Sequence, residues 1–166
     1  MADGPQYLIA TDIPDIVYRL MKKLAIDSKF SVFCDYARLD LTRFAYMKCV
    51  RSAPSHNGIK NVAKIQPIAE PISLLTPVRY IITVYNGSSD WDTLTDEQKE
   101  LVLLHEFLHV DLDHEFNHPD WDKQRAGRLL GHDLQDFRKM IEILGVNWFN
   151  DAGAKATTTA PVPATV

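Results

Sequence analysis

The chain has 166 residues, of which 46% are hydrophobic and 24% charged, and it carries a net charge of −4. This length and composition suit one globular domain. The chain has no stripe of basic residues that would indicate nucleic-acid binding. The two cysteines, Cys34 and Cys49, are too few for a disulfide framework, so we interpret them as reduced core thiols of a cytosolic protein.

The N-terminus has no basic segment followed by an apolar one, and no apolar run is long enough to span a bilayer. We therefore expect no signal peptide, no membrane association and a cytoplasmic location, which is the host cytoplasm if a phage encodes the chain. From Asp151 onward the sequence is mostly Ala, Thr, Pro and Val with one charged residue. It predicts one domain over 1–150 and a flexible tail over 151–166.

The first predicted element is an amphipathic helix with Asp12 as its N-cap. Its apolar residues recur at helical spacing: Ile13, Ile16, Val17, Leu20, Met21 and Leu24. From Phe30 to Val50, aromatic and β-branched residues with partial alternation predict one or two strands. Pro54, Asn57 and Gly58 then predict an exposed loop over Ser52–Asn61, followed by a short strand near 62–65.

Arg79–Tyr85 gives the clearest strand pattern in the chain, and Asn86-Gly87 closes it. A buried helix is predicted over about 96–110, and a second long helix over about 122–144, ending at Gly145. The order of helix, small sheet, helix and final helix predicts an α+β fold with the helices packed against one face of the sheet.

The most informative pattern is H-E-x-x-H, formed by His105, Glu106 and His109 within the buried helix. Residues four apart on a helix share a face, so both imidazoles can bind one metal ion, and Glu106 can reach a water on that ion. Thr95 and Gln98 form a capping box that supports the helix. Zinc with three protein ligands and an open position is the cofactor that this pattern predicts.

The third ligand remains open among His114, His118, His132 and nearby carboxylates. His114 would rotate away from the ligand face if the helix continued past His109. We rank His132 first, because Gly131 beside it would let the second helix approach the metal helix closely.

Several stretches together resemble a known family: Cys49-Val50-Arg51-Ser52, Tyr80-Ile81-Ile82, Thr93-Leu94-Thr95, His105-Glu106-Phe107-Leu108-His109, Gly131-His132-Asp133 with Asp136-Phe137, and Gly145-Val146-Asn147-Trp148. Over most of residues 12–148 the chain is similar to the putative phage metallopeptidases. The resemblance implies a compact zincin-like domain, with a small mixed sheet, an N-terminal helix, an active-site helix and a C-terminal helix. It also implies action on peptide bonds and supports His132 as third ligand, because the family carries a histidine next to this Asp and Phe.

We therefore predict a zinc-dependent metallopeptidase acting on a peptide or protein, with Zn²⁺ bound by His105, His109 and His132 and with Glu106 as general base. The alternative is a non-catalytic zincin-like module with a structural or interaction role in a phage assembly, although such a module has no need of Glu106. A zinc hydrolase that cleaves another bond is a third reading.

Two further expectations concern substrate binding. The strand Arg79–Tyr85 is expected to be an edge strand that holds an extended substrate by backbone pairing. A hydrogen-bond donor for the transition state is expected among Tyr80, Tyr85 and the arginines, and the sequence does not choose between them. The sequence indicates no oligomeric state.

Overall fold

The fold is taken from a computed structural model. It describes residues 6–56, 59–87, 90–117, 127–131, 138–145 and 147–152. Within these ranges no helix is long and apolar enough to cross a membrane. Of the predicted tail over 151–166, residues 151–152 are described and helical, whereas 153–166 lie outside these ranges, so the predicted flexibility there remains a prediction.

A four-stranded sheet forms the centre of the molecule. Its strands are β1 (Tyr7–Ile9), β2 (Phe44–Cys49), β5 (Ala63–Pro67) and β6 (Tyr80–Tyr85), in the order β1-β2-β6-β5. β2 and β6 are parallel, whereas β1 and β5 are antiparallel to their neighbours. The predicted α+β class with a small mixed sheet is confirmed.

A separate two-stranded hairpin, β3 (Ser55–His56) and β4 (Ile59–Lys60), lies in the segment predicted as an exposed loop. The loop prediction is therefore wrong for these four residues. The Pro54 and Gly58 signals on which it rests are equally compatible with a short hairpin.

The described α-helices are α1 (Ile13–Ile26), α2 (Asp96–Leu108), α3 (Leu112–Asn117) and α4 (Arg138–Leu144), and residues 148–152 are also helical. The apolar face predicted for α1 is buried in full, comprising Ile13, Ile16, Val17, Leu20, Met21 and Leu24. Asp12 occupies the N-cap position, but its side chain makes no capping hydrogen bond. Its carboxylate lies instead 3.6 Å from the Lys48 ammonium.

Helix α2 packs on the sheet through aromatic side chains. Phe107 meets Phe44 edge-on with ring centroids 5.1 Å apart, and Phe44 stacks on Tyr80 at 5.0 Å. Ile82 and Val84 continue this face of β6, and neither is accessible to solvent. The core therefore lies between the sheet and the helix that carries H-E-x-x-H.

A 3-10 helix over Ser28–Arg38 replaces the first part of the segment predicted as strand. The Asp27 carboxylate begins it by accepting a hydrogen bond from the Lys29 N–H at 2.9 Å. The side chains that pack into or against the core recur every third residue, namely Phe30, Phe33, Tyr36 and Leu39. This spacing matches the three residues per turn of a 3-10 helix. Of the one or two strands predicted between Phe30 and Val50, the structure contains one, β2.

The expectation that Arg79–Tyr85 is an edge strand is also wrong. β6 lies between β2 and β5 and pairs with both. An interior strand has no unpaired backbone edge to offer to a substrate. The edges of this sheet are β1 and β5.

The predicted helix over about 122–144 is not continuous. Residues 127–131 are not helical, and Leu129 forms a β-bridge with Val110. α4 and the positive φ of 86° at Gly145 confirm the end of the prediction. Residues 118–126 and 132–137 lie outside the described ranges.

Candidate active site

Helix α2 begins with the predicted capping box. The Thr95 hydroxyl accepts a hydrogen bond from the Gln98 N–H at 3.2 Å, and the Gln98 side-chain carbonyl accepts one from the Thr95 N–H at 3.0 Å. Asp96 and Glu97 occupy the first turn, where carboxylates stabilise the positive end of the helix dipole. The start of α2 is thus fixed by local hydrogen bonds.

His105 and His109 lie on one face of this helix end, both half-buried. Their ring centroids are 5.3 Å apart and the ring planes cross at 74°. A tetrahedral metal bound by two imidazole nitrogens holds the ring centroids about 5 Å apart. The spacing of the two rings therefore fits a shared metal ion.

The backbone of residues 127–131 selects the tautomer of His109. Its Nδ1 lies 2.7 Å from the Leu130 carbonyl oxygen, which can only accept, so Nδ1 carries the proton. In the neutral ring Nε2 then keeps its lone pair, the form in which imidazole binds a metal. The Leu130 N–H donates to the His109 carbonyl at 2.6 Å, so two hydrogen bonds join His109 and Leu130.

Glu106 is buried and bonded to the sheet. Its Oε2 accepts a hydrogen bond from the Ile65 N–H of β5 at 2.8 Å. Burial raises the pKa of Glu106, while the His105 ring and the Ile65 N–H act in the opposite direction. The sheet therefore holds one oxygen of the carboxylate. Glu106 follows His105 directly in the sequence.

Trp148 lies beside His105, with ring centroids 6.5 Å apart and planes 21° from parallel. Sequence reasoning gave this residue no role, although it ends the stretch Gly145-Val146-Asn147-Trp148 that carries part of the family resemblance. Phe149 packs edge-on against Trp148 at 5.7 Å, and its carbonyl accepts a hydrogen bond from the Gln98 amide at 3.0 Å. The segment after α4 therefore forms one wall of the site.

The third ligand is not among the residues brought together here. In the described part of the chain, no group of three or more His, Cys, Asp or Glu side chains could hold a metal ion. His114 is buried on α3, where its backbone N–H lies 3.3 Å from the Asp111 carboxylate. His118 and His132 lie outside the described residues, so the assignment of His132 remains a prediction.

A Cβ at Gly131 would meet no described atom within 4 Å, so among the described residues Gly131 makes no close approach. The glycine that allows a close approach is Gly127, whose Cβ would lie 2.3 Å from the Tyr80 ring.

Two tyrosines were candidates for a transition-state donor. Tyr80 is inaccessible to solvent, and its hydroxyl donates to Glu115 at 2.6 Å, so it cannot reach a substrate. Tyr85 is half-buried at the other end of β6, and burial raises its pKa, with smaller contributions from Tyr7, Cys49 and Glu106. Of these two, only Tyr85 stays a candidate.

The sequence profile of the family described as "Putative phage metallopeptidase" matches residues 6–158, which include every candidate site residue above. No curated protein and no solved structure matches the chain significantly.

Proposed function

Because the chain belongs to the putative phage metallopeptidase family, we propose that it is a zinc-dependent peptidase with Glu106 as general base. The observation that carries this proposal is the hydrogen bond from His109 Nδ1 to the Leu130 carbonyl at 2.7 Å. This hydrogen bond leaves Nε2 of the neutral ring unprotonated, which a metal ligand requires.

We propose His105, His109 and His132 as the zinc ligands. Support for His132 comes from Leu130, which is bonded to His109 through both its N–H and its carbonyl. His132 comes two residues after Leu130, and two residues of extended chain span about 7 Å at most. Three imidazoles match the ligand set of a catalytic zinc with an open fourth position.

Zinc, when bound, lowers the pKa of its water towards 7 and polarises the carbonyl of the bond to be cleaved. The chain's own contribution begins with Glu106. Its Oε2 is held by the Ile65 N–H, so Oε1 is proposed to take a proton from the attacking water. The carboxyl group then passes this proton to the leaving amine, acting as base and then as acid.

We propose that the substrate pairs with β5, the edge strand next to Glu106. The Val62 carbonyl and the Ile68 N–H bond to β6, so the alternate residues Ala63 and Ile65 direct their backbone groups away from β6. The Ile65 N–H already meets Glu106 on that side. A peptide extended along this edge would therefore run past the base.

Cleavage of a mixed peptide library by the wild-type protein tests this function. We expect cleavage that stops on chelation and returns on addition of zinc, together with about one zinc per chain by elemental analysis. A folded protein that holds zinc and cleaves nothing would instead support the non-catalytic module. A protein that takes up no transition metal would contradict both.

A further inference from the structure

A buried polar network lies beneath the candidate site. The Tyr80 hydroxyl donates to Glu115 at 2.6 Å and accepts a hydrogen bond from the Arg128 backbone N–H at 3.1 Å. The second oxygen of Glu115 accepts from the Arg43 guanidinium at 3.0 Å, and the Glu115 side chain is only 3% exposed. Such a buried carboxylate is costly unless its partners are fixed, so the network holds its members in one arrangement.

This network is connected to His109 through the backbone of residues 127–131. The Arg128 carbonyl accepts from the Asp111 N–H at 3.1 Å, and Leu130, two residues further on, bonds to His109 at both backbone groups. The Tyr80 hydroxyl therefore anchors the segment whose carbonyl sets the tautomer of a proposed metal ligand. The same segment leads directly to His132.

The ring of Tyr80 constrains this segment as well as its hydroxyl. A Cβ at Gly127 would lie 2.3 Å from Cε1 and 2.5 Å from Cζ of Tyr80, far inside van der Waals contact. Only glycine allows the backbone to pass this close to the ring. Tyr80 thus fixes the path of the chain at residue 127 by contact and at residue 128 by a hydrogen bond.

We propose that Tyr80 and Glu115 are positioning residues of the metal site. They hold residues 127–131 so that the Leu130 carbonyl orients the His109 imidazole. The inference rests on the proposed metallopeptidase function for its metal, but the orientation of His109 can be measured without one. Outer hydrogen bonds to metal ligands are worth about 10–100-fold in metal affinity.

Two matched pairs of variants test the proposal. Tyr80→Phe removes the anchoring hydroxyl, and Tyr46→Phe removes a buried hydroxyl of the adjacent strand that has no hydrogen-bond partner among the described residues. Gly127→Ala pushes the segment off the Tyr80 ring, and Gly87→Ala introduces a comparable clash with the Arg51 backbone, away from residues 127–131. If Tyr80→Phe does not fold, the comparison of Gly127→Ala with its control tests the proposal.

Two measurements are made on variants shown to be folded by circular dichroism. The first is the zinc dissociation constant from competition with a chelator. We expect it to rise about 10–100-fold in Tyr80→Phe and Gly127→Ala and to stay near the wild-type value in the two controls. The second is solvent exchange of the His109 Nδ1 proton in the metal-free protein by nuclear magnetic resonance, expected to be at least about tenfold faster in the same two variants.

Unchanged zinc affinity in folded Tyr80→Phe and Gly127→Ala, with the wild-type exchange rate at His109, would overturn the proposal and leave the network a purely structural role. If the wild-type protein binds no zinc, the proposed function fails, and the exchange rates alone decide the inference. Faster exchange in the two test variants than in their controls would then support it, and equal rates would overturn it.

Discussion

Each described residue of the H-E-x-x-H pattern is oriented by a group distant in sequence. The Ile65 N–H meets Glu106 across 41 positions, and the Leu130 carbonyl meets His109 across 21. Trp148 lies against His105 from the far end of the chain. The pattern itself predicts the chemistry of the three residues, but the groups that fix their protonation and orientation come from tertiary structure.

The third ligand is tested at this scale by exchanging single histidines. His132→Ala should release zinc, because two imidazoles alone bind it far more weakly, whereas His118→Ala should keep most of the zinc affinity. Zinc content after dialysis and a melting curve are measured for both, since lost metal binding also lowers stability. Zinc loss in His118→Ala with retention in His132→Ala would show that our ligand assignment is wrong.

The buried tyrosines predict how stability depends on alkaline pH. Burial, Asp111 and Asp35 raise the pKa of Tyr36 to about 12, and burial also raises the pKa values of Tyr46 and Tyr80. Phenols of the unfolded chain ionise near pH 10, before those of the folded protein. The contribution of these buried, neutral phenols to the free energy of unfolding is therefore fully present below about pH 10 and is lost as pH rises towards 12.

Denaturation with urea at several pH values checks this dependence. Tyr36→Phe should lose less stability between about pH 10 and 12 than the wild type, because it lacks one of these groups. Tyr18→Phe, at an exposed tyrosine of α1, serves as the control and should follow the wild type. A wild-type protein whose stability is constant over this range would contradict the prediction.

At the scale of elements, α1 and α2 are joined by ion pairs around a buried carboxylate. Glu100 of α2 has an 8% exposed side chain and pairs with Lys23 and, at 3.5 Å, with Arg19. Arg19 and Lys23 lie on α1, 81 and 77 positions before Glu100 in the sequence. Their contact with Glu100 depends on how the two helices pack, and no local pattern predicts it.

Removing the lysine should destabilise the packing of α1 on α2. Lys23→Met leaves the buried Glu100 carboxylate with one partner, so the free energy of unfolding should fall by about 1–3 kcal/mol. Lys22→Met, at the exposed neighbouring position, should change it by less than about 0.5–1 kcal/mol. Equal losses in the two variants, measured by urea denaturation, would show that the pairing with Glu100 contributes nothing specific.

Elements specified by local signals are those that the sequence predicts well. The apolar face of α1, the capping box of α2 and the glycine end of α4 each depend on residues a few positions apart. The prediction fails for residues 127–131, because their structure depends on residues distant in the sequence. Leu129 and Leu130 look like a helix face, yet their backbone pairs with residues 109–111 and is held by Tyr80, nearly fifty positions away.

For the whole molecule, the order of strands decides where a substrate can bind. From the sequence we expect β6 to be an edge strand, but it lies inside the sheet. After β2 the chain forms β5 before it reaches β6, and β5 pairs with the outer side of β6. The candidate site then lies where the end of α2, the edge strand β5 and the segment 127–131 meet. Composition and periodicity predict the α+β class, but they contain no information on this order.

The most direct test of the central claim compares Glu106→Gln with the wild-type protein. Glu106→Gln keeps the side-chain shape and all proposed zinc ligands, so it should stay folded and hold about one zinc. Cleavage of a peptide that the wild type cuts should fall by about 10²–10⁴-fold, the usual contribution of a general base. Glu142→Gln, which changes an exposed carboxylate of α4, should keep full activity. Equal cleavage by the wild type and by zinc-loaded Glu106→Gln would contradict the claim that Glu106 is the catalytic base.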